Sequence, residues 1–443
     1  MVGGQSAPPI PAWLEPYAAD ASALMNASLG TTAAWDRLAE LCDTFGARLA
    51  GSRNLESATE WAAEAMRQDG LDRVRLEKTS VPRWVRGAES LDIVEPVLSP
   101  LVVLGLGGSV ATPAGGVTAP IVIVRSFDEL NARATEARGR IVLFDVPYTN
   151  YGQTVAYRTH GVVHAARHGA LAALVRAVGP IGLRTPHTGS LTYVPGVPRI
   201  PGAAIPVEDA QRLVRLAARR VPVTLRLRMA ATTHPDTESA NVVGEITGRE
   251  FPEQVVLVGG HFDSWDTGVG ASDDGVGCIV TWEAARLMKR LGLRPRRTVR
   301  VVLFTNEENG LRGAFAYRDA HASAATNHVL ALESDTGVFE PMRLGFTGND
   351  RARQMMAETV GLLRPIGFPP LGQGGGGADI GPIAHAGRVP TMALHGDNAR
   401  YFQIHHTPAD TPERIDPKEA ARAAAAIAVV TWVAAEMTES LPR

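Results

Sequence analysis

The residues of this 443-residue chain whose types and spacing suit chemistry lie in its second half, each at a point where an apolar run stops. The stretch Val255 to Asp274, VVLVGGHFDSWDTGVGASDD, begins as a strand buried in a sheet and ends in two glycines, after which come His261, Asp263 and Asp273. Three further stops carry the same chemistry: Glu307 with Glu308 after TVRVVLFTN, Asp335 after HVLALES, and His405 with His406 in IHHTPADT. Hard carboxylates mixed with imidazoles suit divalent zinc, cobalt or manganese rather than iron–sulfur or copper–thiolate sites. The adjacent glutamates say most, because one can ligate while its neighbour stays free as a base toward water. Taken singly, a histidine after a strand is a core residue, a Glu-Glu pair a helix start and an Asp before Gly a turn. Delivered by several strand ends at once, they read as a metal centre.

Composition narrows the classes. A net charge of −2 with no Lys/Arg-rich run gives no field for nucleic acid. Cys42 and Cys278 are the only cysteines, too few for a disulfide framework or a thiolate zinc cluster. The apolar run Leu101 to Val110 is too short to span a bilayer and Ala420 to Met437 carries Arg422, so a soluble chain with no membrane partner is expected. No basic segment followed by an apolar one opens the sequence. That leaves a cytoplasmic protein or one exported with its signal peptide removed.

The elements that must position these residues follow from periodicity. After a Pro-rich segment over 1–30, a helix is expected from about Thr32 to Gly46, with Cys42 on its apolar stripe. The loop GARLAGS, a second helix from about Leu55 to Gln68 and a half-buried strand from Val74 to Val81 come next. From about Pro96 to Ala231 short Val/Ile/Leu runs between Gly and Pro predict a compact β-rich module, 96–231, closed by a polar linker THPDTESA. Its His160, His164, His168 and His187 have no carboxylate at ligand spacing and read as solvated or satisfied. From Asn241 strands alternate with helices, which argues for an α/β fold with a mostly parallel twisted sheet sandwiched by helices, assembled from 31–95 and 232–443. In such a sheet, side chains at the carboxyl ends of central strands face the ligand crevice. The run Gly372 to Gly377 lacks the Lys-Ser/Thr of a phosphate loop and reads as a loop near a site.

GGHFDSWD, GASDDGVG, TNEENGLRGAFAY, ESDTG and HHTPADT resemble, in order and spacing, the co-catalytic zinc exopeptidases, a family that includes zinc aminopeptidases and glutamate carboxypeptidase-like enzymes. The likeness runs from GARLAGS to the C-terminus and implies the zinc exopeptidase fold, with 96–231 as an inserted protease-associated domain. It further implies two zinc ions per chain, replaceable by cobalt or manganese, with Asp273 bridging, His261 and Asp335 on one ion and Glu308 and His406 on the other. Glu307 would be the general base toward a metal-activated bridging water, and Asp263 the acid that holds the His261 ring by its other nitrogen. His405 competes with His406, which is preferred because the family's ligand stands directly before Thr or Ser with Asp three residues further on. Asp274, the neighbour of the bridge, would be a hydrogen-bonding support rather than a ligand. Asp379, Arg400 and Tyr401 align with pocket-forming segments, and Arg400 would pair with a substrate carboxylate. The implied activity is hydrolysis of dipeptides or short peptides, by an enzyme that can be a homodimer. Alternatives are an aminopeptidase on longer peptides, an amidase on N-acyl amino acids, or an inert protein-binding ectodomain. Glutaminyl cyclisation, which goes with a single zinc, is remote, and inert relatives should lose ligands, whereas all five stand here.

Overall fold

In the computed structural model, residues 10–443 are described, and 1–9 of the expected N-terminal segment lie outside the described residues. Two eight-stranded sheets organise them. The first runs, edge to edge, through Asp72–Val85, Thr232–Ile246, Arg297–Phe304, Phe251–His261, His328–Ser334, Thr391–His395, Arg343–Thr347 and Gly372–Gln373. Its four middle strands, from Arg297–Phe304 to Thr391–His395, are parallel, whereas antiparallel pairs join them to both flanks, so the sheet is mixed with a parallel centre.

That centre is built by Val/Leu runs that are apolar on both faces, as parallel strands under helices require. Val256, Val258, Leu330 and Leu332 pack toward the helices Val276–Arg290 and Pro417–Glu436. The alternate residues Val255, Leu257, Val302 and Ala331 face Ala314 and Tyr317 of Arg312–Ala320 and Ile383 of Gly381–Gly387. The Ala-rich helix Pro417–Glu436 is buried almost throughout and lies between Val276–Arg290 and the helix Glu15–Leu29. Among the described residues no helix is long and apolar enough to cross a membrane. Both cysteines are buried and unpaired.

The second sheet runs through Ser99–Leu101, Glu89–Glu95, Thr224–Met229, Val117–Val124, Ile141–Phe144, Ala172–Arg176, Gly202–Ile205 and Leu104–Gly105. Its middle is parallel too, and the helices Tyr151–Arg167 and Val207–Ala218 pack on it, so the strand-rich unit carries its two long helices on a sheet with a parallel centre. Glu89–Glu95 pairs with Thr224–Met229 in this sheet, which moves the changeover from Pro96 back to between Val85 and Glu89. THPDTESA is no linker: it forms the outer part of Thr232–Ile246 and pairs with Asp72–Val85, as Val81 with Thr237 and Lys78 with Ala240. Its polarity reflects an edge ribbon that is half in water. The Pro-rich opening also hides a helix, Glu15–Leu29, which buries Tyr17, Leu24 and Met25. His164 stacks on Phe127 at 3.9 Å between centroids and His168 bonds Asn131 Oδ1 at 2.9 Å, the satisfied roles expected of them.

The predicted GARLAGS loop joins the sheet through Arg48, which is fully buried. Its Nε donates to the Phe262 carbonyl at 2.9 Å, Nη1 to Val269 at 2.7 Å and Gly46 at 3.2 Å, and Nη2 to Gly270 at 3.1 Å. The Phe262, Val269 and Gly270 carbonyls lie between His261 and Asp273, so one guanidinium fixes both ends of the loop between them. Replacing Arg48 by Met should leave several buried acceptors empty and lower stability by about 3 kcal/mol or more, read as a fall in the urea midpoint. A loss below about 1 kcal/mol would show that water reaches those carbonyls and that Arg48 does not hold the loop.

Candidate metal centre

Two of the four parallel strands end in a candidate ligand or directly before one, and a third ends a short turn before two. His261 is the last residue of Phe251–His261, Asp335 directly follows His328–Ser334, and Glu307 and Glu308 come three and four residues after Arg297–Phe304. The fourth, Thr391–His395, leads into the helix Asn398–Ile404 and then His405 and His406. Asp273 comes from the loop after His261, where the Asp273–Asp274 peptide is cis. Gly260 has to be glycine here, because a Cβ would run into the Asp274 carboxylate and the Ser334 carbonyl.

Asp273 stands between two imidazoles. His261 Nε2 lies 3.2 Å from Asp273 Oδ1 and 3.1 Å from Asp335 Oδ1. His406 Nε2 lies 3.1 Å from Asp273 Oδ2 and 3.0 Å from Glu308 Oε2. Each of these two imidazoles thus faces one Asp273 oxygen and one further carboxylate. His405 Nε2 is 3.5 Å from Asp273 Oδ2, and its ring stacks on that of His406 at 3.5 Å. The outer nitrogens orient the rings: His261 Nδ1 donates to the Asp263 carbonyl at 2.9 Å and His406 Nδ1 to the Thr188 carbonyl at 3.2 Å, so both Nε2 atoms face the carboxylates.

The acid Asp263 therefore does not hold the His261 ring by its carboxylate; its main-chain oxygen does. The carboxylate instead accepts from Glu307 N at 3.0 Å and Glu308 N at 3.3 Å and presents the two glutamates. Asp410 does the same for the bridge, accepting from Ser272 N at 2.7 Å and Asp273 N at 3.1 Å. Asp274 accepts from His261 N at 3.1 Å, the supporting role expected of it.

The charges fit a cation. Burial pushes the Glu307 carboxyl well above its ordinary value, and Asp335 and Glu308 add to this. Burial raises Glu308 to about 7 against the pull of His406. Burial also works to raise Asp273, but His405, His261 and His406 hold it well below the carboxylate range. Burial would lower His261 and His406, yet their acids lift both well above an ordinary imidazole, Asp335 foremost for His261 and Glu308 for His406. Protons on these rings do the neutralising that divalent ions do, and the buried Asp273 Oδ2 and Glu308 Oε1 accept no hydrogen bond. Imidazole nitrogens and carboxylate oxygens, without thiolate, are the donors of a zinc, cobalt or manganese site.

These residues line a cavity of about 330 Å³ together with Tyr151, Arg158, Thr336, Tyr401 and Phe402. Tyr401 is there as expected; Arg400 and Asp379 are not. The Arg400 guanidinium makes two bonds to the Glu419 carboxylate and lies over the Phe339 ring, so its charge is spent on the closing helix. Asp379 is fully buried behind Glu333, whose Oε2 accepts from Asp379 N and Ile380 N. A side chain at Gly377 would strike the Glu333 carboxylate, which accounts for glycine there. Sequence reasoning missed the whole contribution of the second unit: Tyr151 and Arg158 on one helix, the Thr188 carbonyl on His406, and Ser190 Oγ donating to the Glu308 carbonyl at 2.9 Å. An aromatic and a cation seven residues apart on one helix face are the only local signal.

Asp410 offers a clean test of how the bridge is held. Asp410→Asn should keep the fold by circular dichroism but weaken zinc binding about 10- to 100-fold, measured by competition with a chelator, because Asp273 loses its backbone anchor. Unchanged affinity would show that Asp273 is positioned without it.

Comparison with known proteins gives these groups a family. The pattern of Peptidase family M28 matches residues 241–431, which carry all five candidate ligands and Glu307. The chain is 49% identical over 409 residues to carboxypeptidase Q of Homo sapiens, covering 92% of this chain and 86% of that one. Against carboxypeptidase Q of Mus musculus the figures are 48%, 92% and 87%. The crystal structure of a peptidase M28 precursor from Shewanella amazonensis superposes with a TM-score of 0.93 at 34% identity, covering 97% of this chain and 99% of that one. A zinc aminopeptidase from Bacillus subtilis shares the fold, with a TM-score of 0.69 at 21% identity over 92% of this chain and 96% of that one. The chain belongs to peptidase family M28 and is a metallopeptidase.

Proposed function

We propose that the chain is a two-zinc exopeptidase that releases amino acids from dipeptides or short peptides, as the name of its carboxypeptidase Q relatives suggests. One observation carries this reading: Asp273 offers one oxygen to each of two imidazole–carboxylate pairs on a single cavity wall. In this reading His261, Asp273 and Asp335 hold one zinc and His406, Glu308 and Asp273 the other. The choice of His406 over His405 is supported by its contact with both Asp273 and Glu308, where His405 Nε2 approaches Asp273 alone. Cobalt or manganese would serve the same donors.

When bound, zinc polarises the scissile carbonyl and lowers the pKa of water toward neutrality. The protein's own groups do the rest. Glu307 takes the proton of the attacking water and returns it to the leaving amine; burial holds its carboxyl well above its ordinary value. The Asp263 carboxylate holds Glu307 N and Glu308 N, so the base and its ligating neighbour keep a fixed spacing. Tyr401 lines the same cavity with a phenol that burial keeps protonated, the surrounding acids adding to this. The second unit, read as an inserted protease-associated domain, roofs the cavity, and the Arg86–Asp266 ion pair at 2.6 Å is one of its fastenings.

Two outcomes test this reading. Glu307→Gln should lower kcat by about 10²- to 10⁴-fold while zinc content stays that of the wild type; full activity in the zinc-loaded variant would remove Glu307 from the chemistry. On a panel of free dipeptides, N-blocked dipeptides and aminoacyl anilides, the zinc-loaded enzyme should cleave the free dipeptides best. A preference for anilides would point to an aminopeptidase and a preference for N-acyl substrates to an amidase.

A further inference from the structure

His406 and Glu308 are held from the second unit, whereas His261 and Asp335 are not. Among the described residues, the hydrogen bonds and ion pairs of His261 and Asp335 stay within the first unit, as in the bonds of His261 to Asp263, Asp274 and Asp335. The segment Thr188–Ser190, from the loop between Ala172–Arg176 and Gly202–Ile205, reaches both of the other ligands. Ser190 Oγ donates to the Glu308 carbonyl at 2.9 Å. Thr188 grips His406 twice: its N–H donates to the His406 carbonyl at 3.0 Å, and its own carbonyl accepts from His406 Nδ1 at 3.2 Å. The grip matters because His406 has a φ of +61°, a left-handed backbone that residues other than glycine rarely adopt. The helix before it ends at Ile404, so the conformation depends on bonds from outside that helix.

Thr188 is in turn seated by the fastenings between the units. Its Oγ1 donates to the Gly105 carbonyl at 2.8 Å and accepts from Arg86 Nη2 at 3.3 Å. Arg86 lies in the changeover between Val85 and Glu89, and its Nη1 donates to the same Gly105 carbonyl. Its Nε and Nη2 take the two oxygens of Asp266 at 2.8 and 2.6 Å. One guanidinium thus joins a first-unit carboxylate to the strand Leu104–Gly105 and to Thr188. Two residues along, Gly107 N donates to the Gly189 carbonyl and Leu191 N to the Gly107 carbonyl, both at 3.0 Å. Trp265 of the first unit packs on Gly107, where a Cβ would run into the indole. The segment that holds His406 and Glu308 is therefore placed by how the two units meet.

We propose that the seating of the second unit sets the affinity of the zinc site at His406 and Glu308 and leaves the site at His261 and Asp335 unaffected, with Arg86 and Thr188 as the positioning residues. This rests on the two-zinc reading and adds an order to it: when the fastening between the units loosens, the ion at His406 and Glu308 leaves first.

The test titrates the full-length protein with zinc against a competing chelator, where the wild type should bind two ions. Arg86→Met should weaken one of them by about 10- to 100-fold, the loss that follows when the groups orienting a ligand are removed, and the other by less than about 3-fold. Zinc-edge anomalous diffraction from crystals held at limiting zinc then says which ion is which. In the variant the peak beside His406 and Glu308 should fall, while the peak beside His261 and Asp335 keeps its height. A variant that loses both ions alike, or neither, would show that Arg86 serves stability alone and would overturn the proposal. Should Arg86→Met fail to fold, Thr188→Val decides, because it keeps both main-chain bonds to His406 and removes only the hydroxyl's bonds to Gly105 and Arg86. It should weaken the His406 and Glu308 site by about 5-fold, the worth of a neutral hydrogen bond, and unchanged affinity there overturns the assignment. A wild type that binds a single zinc sinks the two-zinc reading and the proposal with it; two ions weakened together in the variants sink the proposal alone.

Discussion

Mutual repulsion among buried carboxylates is the constraint on which this structure depends. Asp273, Glu307, Glu308 and Asp335 crowd one cavity wall, with Asp263 and Asp274 buried directly behind. Two like charges 4 Å apart near a protein surface repel by about 4 kcal/mol, so such a group stands only if protons or cations share the space. The two imidazoles lift their own protonation to meet that need when no other cation is there. Divalent ions would meet it better, since each carries two positive charges and would find buried oxygens that accept no hydrogen bond.

The fold supplies the rigidity that lets such a cluster persist. Four parallel strands end side by side, which places groups far apart in sequence within hydrogen-bonding distance of one another. The supporting acids are spent on main-chain N–H groups: Asp263 on Glu307 and Glu308, Asp410 on Ser272 and Asp273, and Asp274 on His261. Arg48 ties the loop between His261 and Asp273 from below, and the second unit holds the far side through Thr188 and Ser190. Neither unit completes the cavity by itself. The first brings acid and metal chemistry; the second brings Arg158 and Tyr151.

The candidate site was legible because His261, Asp335 and the Glu307–Glu308 pair come at or shortly after the ends of apolar strands, so that strand ends and charge coincide there, whereas Asp273 and His406 come from a loop and from the end of a helix. Local periodicity likewise gave the helices Ala33–Phe45 and Arg53–Gln68, within two residues of the expected bounds. What failed was information of another kind. Whether His261 bonds the carboxylate or the carbonyl of Asp263 depends on a turn that residue types do not encode. Arg400 sits near the ligands in sequence but turns to Glu419, whereas Arg158 lies more than two hundred residues from His406 and meets it only through packing of the two units. THPDTESA is polar because it pairs at an exposed edge, and polarity alone does not separate an edge strand from a linker. The helix Glu15–Leu29 buries small residues among larger ones and carries little of the apolar stripe by which helices are found.

Anomalous diffraction at the zinc edge from zinc-loaded crystals bears most directly on Asp273 as a bridge. Two peaks flanking its carboxylate, one against His261 and Asp335 and the other against His406 and Glu308, are the expected result. A single peak, or a second one that does not touch Asp273, would contradict the two-zinc centre.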